Sequence, residues 1–409
     1  MCFAPCREVG GKRFSFLSRY LAKWCGEYHV LARRNKAPVE DSEAFVGNVR
    51  RLRAFPYYSP QTSSWITRQF LKIWARWLCV ADPYCGWVVP ATFHGIRVCR
   101  KHRIESIIVT VPCFSALIAA ILISRNTGTA LIVDYRDPWT NHRTNFPGLF
   151  GRSISKYIER SAIRRASAIV FCSDVMKDQF VKAFAPLAPD RLEVIYNGFE
   201  EQSDKNLEQT PRSGRINMVY AGKFYGRRQL SVIAPVLAAM VRDGEISAAG
   251  FRLHLYSNLR AQDHGLIRDL RLEDLVEVHG LVPYQEIQEV MRQSDILFLL
   301  SGDDVSYAVP FKFFDYLRAE RPMLAVAPKG SMVERLMSEV DCGECAGFSD
   351  RGEIRRALST LIASRNSYSF EGADRFHWSS AARKYFRLIQ DVTEHRARAS
   401  VLHAQRDTT

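Results

Sequence analysis

The chain reads as an α/β protein of two doubly wound domains in succession. Short apolar runs of five or six residues alternate with longer stretches of helical period, which is the rhythm of parallel βαβ units. The rhythm breaks once, over the polar stretch 206–215 that holds Pro211 and Gly214, and then restarts. At roughly 150 residues per domain, a chain of 409 residues can hold two to three domains, each with its own core.

Taken in order, the opening is weak. Only Met1 to Ala4 are apolar ahead of Gly10 and Gly11, which makes a short strand for the centre of such a sheet. A helix is expected over 14–24. A second, over 66–78, places Phe70, Leu71, Trp74, Trp77 and Leu78 on one face beside Arg68, Lys72 and Arg76. Such a helix either lies in a membrane interface or packs on a core. Asp82-Pro83 and Gly86-Trp87 then mark a loop. Strands are expected over 106–111, 130–134 and 168–172, with helices over 115–124 and 151–165 between them. Beyond the break come strands over 216–220, 251–256, 275–278, 295–300 and 323–326, with a helix near 230–242. The expected division is a first domain over 1–205, a second over 216–378, a late helix over 379–393 that packs back on the first domain, and a polar tail over 394–409.

Composition is ordinary for a globular protein, with 47% apolar and 24% charged residues, and no apolar run approaches the ~18 residues that span a bilayer. Lys and Arg number 57 against 43 Asp and Glu, a net charge of +14 that favours phosphorylated ligands, nucleic acid or an anionic membrane surface. The surplus sits early: residues 1–60 carry eleven basic against five acidic side chains, and 61–103 carry seven against one. Zinc-finger, RNP-like and helix-turn-helix signatures are all missing, so no nucleic-acid partner is expected. Ten scattered cysteines and a start that does not read as a leader point to a reducing, cytoplasmic compartment, with peripheral membrane contact through the basic first quarter. Cys342 and Cys345 form a lone C-x-x-C without a second pair, which fits buried thiols better than a metal or redox site.

Four segments carry chemistry. Gly10 and Gly11 lie just ahead of a helix, where small residues let a ligand approach backbone N–H groups. Asp134, Arg136 and Asp137 follow a buried strand in Val133-Asp-Tyr-Arg-Asp-Pro-Trp139, at the end of the sheet where charges face a cleft. Gly222 and Gly226, with Lys223, Arg227 and Arg228, follow the first strand of the second domain, where glycine admits a diphosphate and guanidinium groups grip phosphate oxygens. Lys312 and Asp315, three apart in Pro310-Phe-Lys-Phe-Phe-Asp-Tyr-Leu317, share a helix face, either as an ion pair or as groups that meet a ligand. His279-Gly280 ends a further strand, where backbone amides can meet the edge of a base.

In this order these segments, with Ile195-Tyr-Asn-Gly198 and Val278-His-Gly-Leu-Val-Pro283, resemble the GT-B glycosyltransferases over nearly the whole chain. The likeness is to the retaining, nucleotide-sugar-dependent family 4 of bacterial polysaccharide assembly. The resemblance implies two Rossmann-like domains: the first would bind a glycan or lipid-linked acceptor, the second a nucleotide-sugar. It places Gly10 and Gly11 at the acceptor and donor phosphates, and Gly222, Lys223, Arg227, Arg228, His279, Gly280, Lys312 and Asp315 at the donor. The family carries Glu where Asp315 stands, and many members carry another Glu at the place of Tyr307. Glycosyl transfer needs a group to stabilise an oxocarbenium-like centre and one to take the acceptor's proton; Asp137 is the first candidate and His142 the second. The other reading of Asp134 and Asp137 is a loop cap paired with Arg136. No Asp-x-Asp occurs, so a metal-independent site without cofactor is expected, with cationic side chains carrying the leaving diphosphate. The competing class is a non-catalytic binding or assembly protein on the same scaffold.

Overall fold

The computed structural model describes residues 9–33, 48–52, 85–139, 151–184, 192–200, 214–226, 228–302 and 306–406. The expected strand over 1–4, the helix over 66–78 with Trp74 and Trp77, the Asp82-Pro83 loop, His142 and Arg227 lie outside these residues. The chain divides into two compact units, residues 1–196 with 378–409, and 197–377.

In the first unit, α1 spans Val9–Trp24 and leads to a parallel pair, β1 (His29–Arg33) and β2 (Asn48–Leu52). Then follow α2 (Val88–His102), β3 (Ser106–Val111), α3 (Phe114–Thr127), β4 (Ala130–Tyr135), α4 (Gly151–Arg165), β5 (Ala168–Phe171), α5 (Asp174–Phe184) and β6 (Leu192–Val194). Strands β3, β4, β5 and β6 pair in that order, all parallel. Every residue of β4 and β5 is buried, as strands covered on both faces require. Among the described residues β1 and β3 do not pair; an apolar cavity of about 220 Å³ lies along them, lined by Tyr28 to Leu31 on one side and Ser106 to Thr110 on the other.

One expectation needs correction here. Gly10 and Gly11 do not form a turn ahead of the helix, because α1 already begins at Val9 and takes both glycines into its first turn.

The second unit is a six-stranded parallel sheet. Its strands are β7 (Ile216–Ala221), β8 (Phe251–Tyr256), β9 (Val276–Val278), β10 (Ile296–Leu300), β11 (Met323–Val326) and β12 (Gly343–Ala346). The order β12-β11-β10-β7-β8-β9 is that of a doubly wound nucleotide-binding sheet, with its switch point between β7 and β10. Helices α6 (Ala234–Arg242), α7 (Ala261–Asp269), α8 (Tyr284–Gln293), α9 (Phe311–Ala319), α10 (Met332–Val340) and α11 (Arg351–Ser364) connect the strands. The helix expected over 230–242 is split into a 3₁₀ turn at Leu230–Val232 and α6, which restarts with Pro235 in its first turn, where a missing N–H costs nothing.

The last helix, α12, spans Trp378–Arg406 and belongs to the first unit. It packs back on α1 as expected: Trp378 stacks on Phe16 at 5.5 Å, Tyr385 meets Phe14 at 5.7 Å and Phe386 meets Trp24 at 5.8 Å. The stretch read as a polar tail continues this helix to Arg406, since Ala- and Arg-rich sequence propagates a helix already nucleated by packing.

Candidate active site

In the second unit the site is built at the carboxyl end of β7. Tyr316, on α9, fixes this end: its hydroxyl accepts from the Ala221 N–H at 3.2 Å and donates to the Phe298 carbonyl at 3.1 Å. The chain then turns at Gly222 with φ of +126°, a conformation that side chains disfavour. A Cβ there would sit 2.3 Å from the Lys312 ammonium, so the missing side chain is what gives Lys312 its place.

Lys312 lies over the Tyr220 ring, its Nζ 4.4 Å from the centroid and 3.4 Å from the hydroxyl. Loss of solvent, with nearby Arg228 adding to it, pushes the Lys312 pKa down to about 7. Tyr220 is fixed in turn, stacked on Phe224 at 4.4 Å and donating to the Lys223 carbonyl at 3.2 Å. Arg228 lies over Tyr225, 4.7 Å from the ring centroid, and Gly226 makes the turn between them with φ of +57°. Lys223 is exposed.

Lys312 and Asp315 do not pair with each other. Asp315 instead accepts from the Tyr284 hydroxyl at 2.7 Å, which joins α8 to α9. Burial, with Asp315 beside it, holds the Tyr284 phenol well above its usual range and keeps it a donor. Tyr307 is buried. His279 follows β9 and stacks on Tyr256 at 4.5 Å, while Gly280 turns the chain with φ of +74°. The Gly222 N–H donates to the Tyr256 carbonyl at 2.9 Å, so the two loops share one stretch of backbone. Gly222, Lys312 and, through Tyr256, His279 are thus brought close. Tyr220, Tyr284 and Tyr316 were not foreseen, because aromatic residues in apolar segments read as core.

In the first unit the two aspartates of the β4 segment separate. Asp134 is fully buried and bound to Arg13 of α1, with Arg13 Nη2 3.0 Å from Asp134 Oδ1. The Thr110 hydroxyl donates to Asp134 Oδ2 at 2.9 Å, and Tyr385 of α12 donates to Oδ1. Arg13 also donates to the carbonyls of Ile195 at 2.6 Å and Tyr196 at 3.0 Å. Burial works against the Arg13 charge, but Asp134 outweighs it and holds the guanidinium above its ordinary pKa. The loop-cap reading therefore fails for Asp134, whose partner is Arg13; Arg136 turns to the Val111 carbonyl at 3.3 Å. Asp137 is exposed at the carboxyl end of β4, on a loop anchored by buried Trp139, which stacks on Phe114 at 4.1 Å. Burial pushes the Cys342 and Cys345 thiols up to about 12, so both stay protonated, as inert thiols do.

Comparison with known proteins places this architecture. The fold is that of GT-B glycosyltransferases. A glycosyltransferase from Rickettsia africae ESF-5 superposes with a TM-score of 0.66 at 12% identity, covering 94% of this chain and 95% of that one. Sucrose-phosphate synthase from Thermosynechococcus elongatus gives 0.63 at 12% identity over 93% and 92%. Anabaena Alr3699/HepE, in complex with UDP and glucose, gives 0.59 at 14% identity over 93% and 96%. Residues 13–203 match the model of Glycosyltransferase Family 4. No curated protein matches the sequence. Among the described residues no helix is long and apolar enough to cross a membrane.

Proposed function

We propose that the chain moves a sugar, a hexose or a related unit, from a nucleotide-sugar to a glycan or lipid-linked acceptor in surface polysaccharide assembly, with retention of anomeric configuration. The observation that carries this reading is the meeting of Gly222 and Lys312 at the switch point of a doubly wound sheet, the place where such sheets take their ligands, with an amine that a diphosphate would charge. The Anabaena relative's complex with UDP and glucose is in keeping with it.

In this reading Lys312, Arg227 and Arg228 carry the diphosphate, with Lys223 at the rim and the N-terminus of α9 adding its dipole, so that the residues themselves meet the leaving group's charge. Asp315 takes the ribose hydroxyls in exchange for Tyr284, and the His279-Gly280 backbone meets the base. Asp137 and His142 serve the reacting centre, and Gly10 and Gly11 lie at the acceptor and donor phosphates. The enzyme works in the cytoplasm, with its basic first quarter against the inner face of the membrane.

A binding protein on the same scaffold is the second reading, favoured by buried Tyr307 at the family's acidic position and by Asp315 being engaged with Tyr284. A thermal-shift screen with UDP, GDP and their sugar conjugates, followed by assay of donor hydrolysis, separates the two. Ligand that binds only the folded state raises its melting temperature. Stabilisation with slow hydrolysis supports the transferase, stabilisation without hydrolysis supports the binding protein, and no stabilisation contradicts both.

A further inference from the structure

Strands β8 and β9 pair in parallel with His254 opposite Glu277, and the two-residue period of a strand carries His279 to the same face as Glu277. Three donor groups of metal-ligand type therefore meet. His254 Nδ1 is 3.0 Å from His279 Nε2, Glu277 Oε1 is 3.6 Å from His279 Nε2, and Glu277 Oε2 is 3.8 Å from His254 Nδ1. A zinc ion bound tetrahedrally at ~2.0–2.1 Å holds its ligand atoms roughly 3.3 Å apart. The two imidazole nitrogens are near that spacing, and one oxygen of Glu277 lies within 4.8 Å of both, so a small turn of the exposed carboxylate closes the set.

The surroundings orient the set from outside. His254 Nε2 lies 3.1 Å from Asn217 Oδ1, an acceptor, so the ring proton is on Nε2 and the Nδ1 lone pair points into the cluster. Tyr256 stacks on His279 at 4.5 Å with the rings 8° apart and fixes the second imidazole. Arg252 donates to Glu277 Oε2 at 3.1 Å and aligns the carboxylate. Burial keeps His254 below the usual imidazole pKa, hence neutral and able to ligate near pH 7.

We propose that His254, Glu277 and His279 bind one divalent transition ion, zinc by preference, which clasps the ends of β8 and β9. Two imidazoles and a carboxylate suit zinc and leave a fourth position for water. The inference stands on its own geometry and does not depend on the nucleotide-sugar reading. The competing explanation is a plain hydrogen bond from His279 Nε2–H to His254 Nδ1. A built-in comparison lies in the first unit, where Glu27, His29 and His102 also come together, with His29 Nε2 2.7 Å from Glu27 and His102 Nδ1 3.5 Å from it.

The full chain, stripped of metal, is titrated with cobalt(II) and with zinc, following cobalt absorbance and heat. One ion per chain is expected, with visible cobalt bands of a low-coordinate site. His254→Gln and His279→Gln should each abolish it, Asn217→Ala should weaken it at least roughly tenfold, and His29→Gln should leave it unchanged. Circular-dichroism melts without metal show whether each variant folds. The half-exposed His279 serves if His254→Gln does not. No ion bound at micromolar concentration, binding that survives both histidine variants, or binding lost in His29→Gln alone would overturn the proposal.

Discussion

Gly222 owes its role to what it lacks. With φ of +126° and the Lys312 ammonium where a methyl would go, Gly222→Ala both strains the turn and expels the lysine. It is expected to weaken nucleoside diphosphate binding by roughly tenfold or more, ~1.4 kcal/mol, measured by titration calorimetry; unchanged affinity would show that the turn does not touch the donor. Asp134 and Asp137, three residues apart, should respond in opposite ways. Asp134→Asn strips a buried Arg13 guanidinium of its counter-charge and should cost ~3–5 kcal/mol of stability in denaturant titration. Asp137→Asn should leave melting intact and lower turnover by roughly 10²-fold, provided Asp137 serves the reacting centre. Position at the strand's exit made Asp137 the candidate, and the sequence offered for either aspartate a loop cap with Arg136. What separates them is burial, and the partner that buries Asp134 lies 121 residues away, beyond the reach of local pattern.

At the scale of elements, strong periodicity was legible and weak periodicity was not. The strands over Ser106–Val111 and the helix over Gly151–Arg165 have the limits expected of them, because β-branched runs and a 3.6-residue apolar stripe each permit one solution. Strands β1, β2, β6 and β12 were missed: Asn48–Leu52 is polar and basic, Leu192–Val194 is only three residues long, and Gly343–Ala346 offers one buried alanine. The return of α12 to the first unit was foreseen in kind but not in its contacts. Its anchor, Trp378, is 1% exposed against Phe16. Trp378→Ala should destabilise the first unit by ~3–5 kcal/mol. All seven tryptophans fall in the residues of that unit, so fluorescence reads its unfolding apart from the second. Because Trp378 is itself one of the seven, the variant is compared by transition midpoint rather than amplitude. A midpoint that does not move would mean α12 is dispensable there.

For the whole molecule, the class of fold was readable because short apolar strands alternate with helices through both units, and each alternation gives a parallel sheet. The state of each site was not readable, since it depends on which aromatic side chain lies beneath a lysine or hydroxyl. Tyr220 is the instance that decides most. Lys312 lies over its ring, and loss of solvent in that place, with Arg228 nearby, lowers the amine's pKa to about 7, so above that pH the amine is largely neutral until a diphosphate restores its charge. Binding should therefore take up a proton, and affinity should fall as pH rises from about 7 to about 9. The direct measurement is calorimetric titration of nucleoside diphosphate at pH 8 in buffers of different ionisation enthalpy, for the native chain and Lys312→Met. The native chain should bind with net proton uptake, and the variant, at least as stable because it buries no amine, should bind at least roughly tenfold more weakly without uptake. Equal affinity in the two proteins, or binding without proton uptake in the native chain, would contradict the placement of the donor diphosphate at Lys312.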